Sequence, residues 1–398
     1  MDEPLVQSAS PVRHFAAQNA MSNGLKKVSW GNLIFFSATT LLGVAGVPFY
    51  LYRFGLSLPE FLLFAFYMAA VPLSITLGYH RLFAHATFKA SAPVRFCVLF
   101  FGAGAFEQPA LKWASQHRDH HRYVDTDLDP YSIKKGFFYA HIGWLIFWKH
   151  KINYENVKDL WASRLIRHQY KYYYIWAVTS GIILPLLIGA LTGHVLGALL
   201  LSVCLRLTLV YHATFCINSV CHMFGKATYD IYSSARDHWV AALITYGEGY
   251  HNFHHHFPAD YRNGVRWYQW DPTKWLIALL ANVGLAWNLK KVSRFQILAA
   301  RLAAENQRAQ DWLTRIQNHP HLTTIHKALQ CQYEKLRLAL TEWERAAREH
   351  QNLIHRHIAE RSDALREAAS RKMRDARNQF QETLARWQSF RLQLFTAA

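Results

Sequence analysis

Residues 56–85 read LSLPEFLLFAFYMAAVPLSITLGYHRLFAH. Residues 56–79 of this stretch form an apolar run, and about 20 such residues in a helix are enough to cross the hydrocarbon core of a bilayer. The run leads directly into HRLFAH, which carries His80 and His85. The stretch therefore predicts a membrane-spanning helix with two imidazole groups at one end.

Three more apolar runs have the length of membrane spans, and they cover residues 30–52, 172–191 and 194–217. The links between the first and second spans and between the third and fourth are short, so each pair is expected to form an antiparallel hairpin. Residues 94–105 are apolar but too short to span, which favours a buried or interfacial helix. We therefore predict an all-α integral membrane protein with four transmembrane helices.

The chain of 398 residues carries a formal net charge of +18. Its Lys and Arg residues lie before the first span, between the second and third spans and after the fourth, whereas the two short links hold almost none. By the positive-inside rule, both termini and all the polar segments face the cytosol. Basic residues beside apolar runs indicate a lipid bilayer as the acidic partner. No nucleic-acid partner is expected, because the sequence contains no DNA-binding or RNA-binding motif. We expect the bacterial inner membrane rather than the endoplasmic reticulum.

The composition divides the chain into three parts. Residues 1–29 form a polar, cytosolic N-terminal segment, residues 30–292 a membrane domain and residues 293–398 a charged C-terminal extension. In the extension, apolar residues recur every three or four positions, which indicates helices with one apolar stripe, of a kind also found in coiled coils. Pro320 is expected to separate a shorter helix from a longer one. Packing within the chain is favoured for these helices, with self-association as the alternative.

Histidine is overused, with 23 in the chain, and many of these residues are clustered. The three histidine boxes are HRLFAH with His80 and His85, HRDHH with His117, His120 and His121, and HNFHH with His251, His254 and His255. Positions i, i+3 and i+4 share one face of a helix, so each of the last two boxes can direct three imidazoles at one place. His80 and His85 are five residues apart. That spacing fits either a helix that unwinds at its membrane end or two side chains that reach different metals.

A further imidazole comes from INSVCH, where Asn218 precedes His222 by four residues and can hold a metal-bound water. A structural zinc site needs four ligands. Eight or nine neutral imidazoles on one side of a membrane therefore indicate two metal ions, with Fe, Cu, Ni and Zn as candidates. Two irons with open positions can activate oxygen and remove hydrogen from an unactivated methylene group, which side-chain acids and bases cannot do.

Longer motifs surround the boxes: WASQHRDHHRYVDTDLDP, GFFYAHIGWLIF, NSVCHMFG, GEGYHNFHHHFPADYRNG and WYQWDPTKWLI. Together they resemble the membrane-bound acyl-CoA desaturases of the stearoyl-CoA Δ9 type, over about residues 30–290. The resemblance implies a cytosolic helical cap that holds a di-iron site. By this match, Asn218 acts through a water, and the ligands of two Fe ions are His80, His85, His117, His120, His121, His222, His251, His254 and His255.

The resemblance also implies a reaction in which O2 and two electrons convert a saturated long-chain acyl thioester into a cis-alkene, with Δ9 as the expected position. Trp113 and Thr214 match the positions that bend the acyl tunnel in the family. Met68 and Pro72 fall where that tunnel closes, so they are candidates for limiting chain length. Lys149 matches a basic position that contacts the phosphates of CoA.

Two features depart from the family. Ser115 and Gln116 stand where animal enzymes carry an Arg-Asp pair that helps to bind CoA, which leaves the acyl carrier open among CoA, a carrier protein and a phospholipid. No HPGG-type haem motif is present. The electrons are therefore expected from a separate protein of the ferredoxin, rubredoxin or cytochrome b5 type.

Two other functions fit parts of the pattern. A di-iron membrane hydroxylase or alkane monooxygenase would share the histidine boxes, although GEGYHNFHH and WYQWDP favour a desaturase. A metal transporter or metal-binding membrane protein would place its ligands inside the spans, near the middle of the membrane. Here the boxes lie at span ends and in loops, which disfavours transport.

Overall fold

Helices form almost all of the regular structure of the protein. The computed structural model describes residues 28–147, 152–316, 321–355 and 363–396. Its helices are α1 (Trp30–Phe54), α2 (Leu58–Ala84), α3 (Ala92–Ala103), α4 (Ala110–Tyr123), α5 (Trp144–Phe147), α6 (Lys158–Trp161), α7 (Arg164–Lys171), α8 (Tyr173–Leu191), α9 (Val195–His222), α10 (Trp239–Ile244), α11 (His251–His256), α12 (Pro272–Asn282), α13 (Arg294–Arg315), α14 (Leu322–His355) and α15 (Asp363–Thr396). Short helical turns lie at Ile133–Lys135, Tyr139–Gly143 and Tyr154–Val157.

Four of these helices, α1, α2, α8 and α9, are long and apolar enough to cross a membrane. The predicted fold class, an all-α integral membrane protein with four spans, is thereby confirmed. Helices α2 and α9 extend beyond the predicted runs, to Ala84 and His222. Because the added residues carry His80 and His222, these two helices bring imidazoles to their own ends, directly after the apolar runs.

The end of α2 has an unusual geometry. Residues Ser74–Ala84 form a π-helix, in which residue i pairs with residue i+5. The His85 N–H donates to the His80 carbonyl at 3.1 Å, and the two ring centroids are 4.9 Å apart. The helix is widened rather than unwound, and the two imidazoles do not diverge toward different metals. Both expectations from the five-residue spacing, an unwound helix end and two different metals, are therefore wrong.

Small residues let the membrane helices approach one another closely. A Cβ added to Gly189 of α8 would lie 2.5 Å from the Ala198 Cβ of α9. A Cβ added to Gly43 of α1 would lie 3.0 Å from the Cα of Leu205 in α9. Helices in lipid associate largely through van der Waals contact, which such small residues increase. Helix α9 is therefore packed tightly against both α1 and α8.

A fully buried arginine joins three elements. Arg206 in α9 is 0% exposed and donates to the carbonyls of Gly104, just after α3, and Gly181, in α8, at 2.5 and 2.8 Å. Backbone carbonyls left without a helical partner must be satisfied internally at membrane depth, because no water reaches them. Arg206 therefore fixes the end of the short apolar helix α3 against the spans.

A small antiparallel sheet connects two parts of the chain outside the spans. Strands β1 (Lys89–Ala90) and β2 (Ala286–Trp287) pair Lys89 with Trp287 and Ala90 with Ala286. The sheet ties the residues that follow α2 to those that follow α12. The sheet thus joins two segments of the polar part of the membrane domain. We call this polar part, the described residues of 85–172 and 223–291, the cap.

The chain divides into two compact units, and the second consists of Val292–Ala398 with the segment Thr228–Ile231. Within this unit, α14 and α15 run antiparallel, as the ring contacts Tyr333–Trp387 and Trp343–Phe380 show. Their apolar stripes share one buried cluster with α13. The sequence predicts one longer helix after Pro320, whereas the described residues form two helices of 34 residues each. Pro320 itself lies outside the described residues.

Candidate metal centre

Nine histidines converge in two groups. Within each group, the nitrogens that can bind a metal lie within 4.8 Å of one another. The five-histidine group is His80, His85, His117, His121 and His254, and the four-histidine group is His120, His222, His251 and His255. These are the nine histidines named by the resemblance. They lie in α2, α4, α9 and α11, except for His85, which directly follows α2.

Each of the two later boxes serves both groups. Helix α4 directs His117 and His121 to the five-histidine group and His120 to the four-histidine group. Helix α11 also divides its box, because only His254 joins the five-histidine group. The prediction that the three imidazoles of a box point at one place is therefore wrong. The 100° turn between consecutive helical residues is enough to send adjacent histidines to neighbouring sites.

The nitrogens are spaced as ligands of one ion would be. Neighbouring Nε2 atoms are 2.8–3.0 Å apart in the pairs His80–His254, His85–His117, His121–His254, His222–His251 and His251–His255. A metal that lies about 2.1 Å from each nitrogen, with ligands at right angles, separates adjacent nitrogens by about 3.0 Å. Each group therefore has the geometry of a metal site.

The outward-facing nitrogens of several imidazoles contact oxygen atoms of the protein. His120 Nδ1 lies 2.8 Å from Asp129 Oδ1, and the Nδ1 atoms of His80 and His222 lie 2.9 Å from Glu248 Oε2 and 2.6 Å from Ser234 Oγ. Metal-binding histidines usually donate their second N–H to such a partner, which fixes the tautomer and the ring orientation. These contacts leave Nε2 as the metal-facing atom.

The donor set fits transition metals such as iron. Burial, followed by the charges of neighbouring groups, lowers the pKa of the imidazoles outside the spans well below the usual value, at His85, His117, His121, His254 and His255. Neutral imidazole keeps the lone pair that a metal needs. The buried Nε2 of His120 also has no hydrogen-bond partner among the described residues. A metal ion would satisfy that atom, and all-imidazole sites suit Fe, Cu, Ni and Zn.

A buried charge network supports the five-histidine group. Glu248 contacts His80 through one oxygen and Arg81 through the other, both at 2.9 Å, and Asn263 donates to it at 2.6 Å. Arg81 also reaches Asp271 at 3.0 Å. Burial alone would raise the pKa of Glu248, but His80 and Arg81 lower it to about 2. Sequence reasoning missed this carboxylate, since it lies 168 residues from His80 and belongs to no histidine box.

A cavity of about 920 Å³ opens beside the metal-binding groups. Its walls include His80, His117 and His251, and aromatic and aliphatic side chains form much of the rest. Ligand pockets are usually about 300–1,000 Å³ and predominantly apolar. The cavity is therefore large enough for a long apolar substrate that passes the metal-binding groups.

Two side chains near the start of α4 meet a third from the distant helix α9 in this cavity. Glu107 accepts hydrogen bonds from Thr214 Oγ1 at 2.8 Å and from Trp113 Nε1 at 3.3 Å. The Trp113 ring in turn stacks on the His117 ring, with centroids 4.9 Å apart. The structure thus brings together the two residues predicted at the tunnel bend. It adds Glu107, which is the only acidic residue between Glu60 and Asp119 and could have been noticed for that reason.

The other predicted site residues have different placements. Met68, Pro72 and Asn218 all line the cavity. Lys149 lies outside the described residues. Ser115 is 0% exposed, and its Oγ donates to the backbone carbonyl of Asn153 at 3.0 Å.

Comparisons with known proteins point to one family. The profile of the fatty acid desaturase family matches residues 57–291. The chain is 37% identical to acyl-CoA desaturase 1 of Saccharomyces cerevisiae over 317 residues, which cover 77% of this chain and 60% of that protein. It is 39% identical to the probable acyl-CoA desaturase of Schizosaccharomyces pombe over 68% of this chain and 56% of that protein.

A mammalian relative is matched over more of its length. The chain is 37% identical to stearoyl-CoA desaturase 5 of Bos taurus, and the match covers 60% of this chain and 73% of that protein. The chain spans a smaller part, 60% and 56%, of the two yeast relatives. The matched region includes the segments that carry all nine clustered histidines.

Proposed function

The chain belongs to the fatty acid desaturase family, and on that premise we propose that it is an oxygen-dependent acyl desaturase. It introduces a cis double bond, at Δ9, into a long-chain acyl thioester. The observation that carries the proposal is the convergence of nine imidazole nitrogens beside a cavity of about 920 Å³ with largely apolar walls. The names of the relatives, which are acyl-CoA and stearoyl-CoA desaturases, support an acyl-CoA substrate.

We propose two irons as the metals, held by the five-histidine group and by the four-histidine group with Asn218 acting through a water. When bound, the irons would supply the oxygen chemistry that removes hydrogen from an unactivated methylene group. Per turnover, the acyl chain loses two hydrogens, an outside donor supplies two electrons with two protons, and one O2 becomes two waters. The apolar cavity holds the chain and excludes water, and the Glu107–Trp113–Thr214 contact sets the bend that selects the reacting carbons.

Partners and orientation extend the proposal. An electron-transfer protein of the ferredoxin, rubredoxin or cytochrome b5 type supplies the electrons. The cap and both termini face the cytosol, as the distribution of Lys and Arg indicates. The relatives named above come from yeasts and a mammal, and they give no support to the expectation of a bacterial inner membrane.

Expression in a host that lacks its own desaturase tests the activity. Double-bond mapping of total lipid should show cis-Δ9 alkenes that depend on the gene. A hydroxylated chain in their place would identify a hydroxylase, and no new product with any of the three donor types would contradict the proposal.

Met68 is expected to limit the length of the acyl chain, because it lines the cavity where the tunnel is expected to close. We expect Met68→Trp to lower kcat/KM for an 18-carbon chain relative to a 14-carbon chain about tenfold or more, since a difference of a few methylenes in a closed pocket has that magnitude. Competition assays with mixed chain lengths measure the ratio. Leu62→Trp is the matched control, because Leu62 lies on the same helix, is 56% exposed and is outside the cavity. An unchanged ratio in Met68→Trp would remove this residue from the site.

Glu107 should make stability depend on pH. Burial raises the pKa of Glu107 from 4.5 to about 7, against the opposing hydrogen bonds from Thr214 and Trp113. Because the folded protein binds this proton more tightly, the stabilisation is complete below about pH 4.5 and is lost as pH rises through about 7, by up to about 3 kcal/mol. Thermal melting of wild type and Glu107→Gln from pH 5 to pH 8 measures this loss of stability. The melting temperature of wild type should fall with rising pH relative to that of the variant. If the two melting temperatures changed with pH in parallel, the raised pKa of Glu107 would be contradicted.

A further inference from the structure

Helix α10 presents an apolar face on the outside of the protein. Trp239, Val240, Leu243 and Ile244 are each 43% exposed or more, and the two alanines between them are buried. The helix contains no charged residue. Clustered apolar side chains on a surface mark contact with lipid or with another protein. The helix is too short to cross a bilayer, because six residues extend only about 9 Å.

A tyrosine just after α10 is bonded to a membrane span. Tyr246 donates its hydroxyl to the backbone carbonyl of Met68, in α2, at 2.5 Å. The residue that would pair with this carbonyl in an α-helix is Pro72, which has no N–H. In lipid such a carbonyl needs a partner from the protein. The hydrogen bond therefore holds the end of α10 against α2 at the depth of Met68.

Met68 lies near the middle of its span. Helix α2 begins at Leu58, so Met68 is ten residues, or about 15 Å, along it. The hydrocarbon core of a bilayer is about 30 Å thick. By the same measure His80 lies about 33 Å along the helix, just beyond the core, as the placement of the histidines in the cap requires. Since the side chain of Tyr246 is shorter than half the thickness of the core, its backbone lies within the core.

The turn that follows α10 suits this depth, because its backbone groups are paired within the protein. The N–H groups of Thr245 and Gly247 donate to carbonyls of α10 at 2.9 Å each. The carbonyl of Tyr246 accepts from Thr273 Oγ1 at 3.0 Å. Non-helical backbone is tolerated at membrane depth only where its polar groups are satisfied away from lipid. The turn meets this condition at each of these groups.

We propose that α10 is inserted into the leaflet nearest the cap, with its exposed side chains against the acyl chains of the lipids. The inference requires only that α2 is a membrane span, and it does not depend on the proposed reaction. The chain enters and leaves this leaflet on the same side, so the expected location of both termini is unchanged.

The position of α10 favours lipid over a protein partner. Helix α10 contacts α9 and is bonded to α2 through Tyr246. Phe66 of α2 and Leu209 of α9 are themselves exposed and apolar, as residues that face lipid are. The exposed face of α10 therefore continues the lipid-facing surface of two spans. Trp239, at the start of the helix, is of the residue type that favours the boundary between lipid and water.

A fluorophore attached at residue 240 tests the insertion. Val240 lies outside the cavity. Val240→Cys is labelled with a nitrobenzoxadiazole maleimide in the full-length protein, after the exposed Cys97 and Cys331 have been replaced with serine. The labelled protein is placed in phosphatidylcholine vesicles. The label should lose most of its fluorescence when the lipids carry a nitroxide on the acyl chain, and little when iodide is present on both sides of the membrane.

Leu62 and Leu338 provide matched controls, because both are apolar helix residues, 56% and 59% exposed. Leu62 lies in the span α2 and Leu338 in α14 of the extension. A label on Leu62→Cys should respond to the nitroxide lipid, and a label on Leu338→Cys to iodide. Trp239→Cys gives a second position in α10 if the Val240 variant does not fold, which fluorescence-detected chromatography shows.

Two results would overturn the inference. A label on α10 that iodide quenches and the nitroxide lipid does not would place the helix in water. A label that neither quencher reaches would show that protein covers the helix, either a second copy of this chain or another partner. Quenching by the nitroxide lipid alone, as at Leu62, is the result that insertion predicts.

Discussion

Replacing His254 with alanine is expected to abolish alkene formation while the protein still inserts into the membrane. His254 Nε2 lies 3.0 Å from His80 Nε2 and 2.9 Å from His121 Nε2, at the centre of the five-histidine group. Loss of a residue that merely supports a ligand costs about 10–100-fold in metal affinity or activity, so loss of a ligand should cost more than about 100-fold. Lipid analysis in a desaturase-free host measures product, and fluorescence-detected chromatography measures folded protein.

His256→Ala is the matched control for this result. His256 follows the third box directly, is exposed and belongs to neither histidine group. The variant should make wild-type amounts of product. His120→Ala probes the other group and should abolish product as fully as His254→Ala does. Retained product in either ligand variant would disprove the need for both groups.

Replacing Glu248 with glutamine should lower both the stability of the protein and its affinity for metal. Glu248 is 2% exposed, and it neutralises Arg81, which is 1% exposed. Breaking a buried ion pair costs about 3–5 kcal/mol, and the loss should stay below that range here because Arg81 keeps Asp271 as a partner at 3.0 Å. Because Glu248 also orients His80, metal affinity should fall about 10–100-fold. Thermal melting and competition with a chelator measure the two effects.

Glu334→Gln provides the comparison for a pair on the surface. Glu334 lies 3.0 Å from Arg337 with 54% of its side chain exposed, and exposed pairs contribute little to stability. This variant should melt and retain metal as wild type does. If Glu248→Gln behaved in the same way, the buried network would have no role in supporting the metal centre.

Much of the fold and of the site follows from local patterns. Apolar runs of span length predict α1, α2, α8 and α9, because backbone groups in lipid must be paired within a helix. The clustering of histidines predicts a metal centre, because so many neutral ligands have no other common use. Both signals depend on residues that are close in sequence.

Long-range relations are what the sequence does not reveal. Glu107 meets Thr214, and Glu248 meets His80, across more than 100 residues in each case, and no spacing rule links them. The π-helix that directs His80 and His85 to one group is likewise set by tertiary packing. In the extension, no glycine follows Gly284 and no proline follows Pro320, so nothing marks the division of the predicted longer helix into α14 and α15.

The metal content of the purified protein tests the central claim most directly. Wild-type protein loaded with Fe2+ and freed of excess metal should contain two irons per chain by elemental analysis. His254→Ala and His120→Ala should each lower that number. A fully loaded wild-type protein with one iron per chain, or none, would contradict the two-site account.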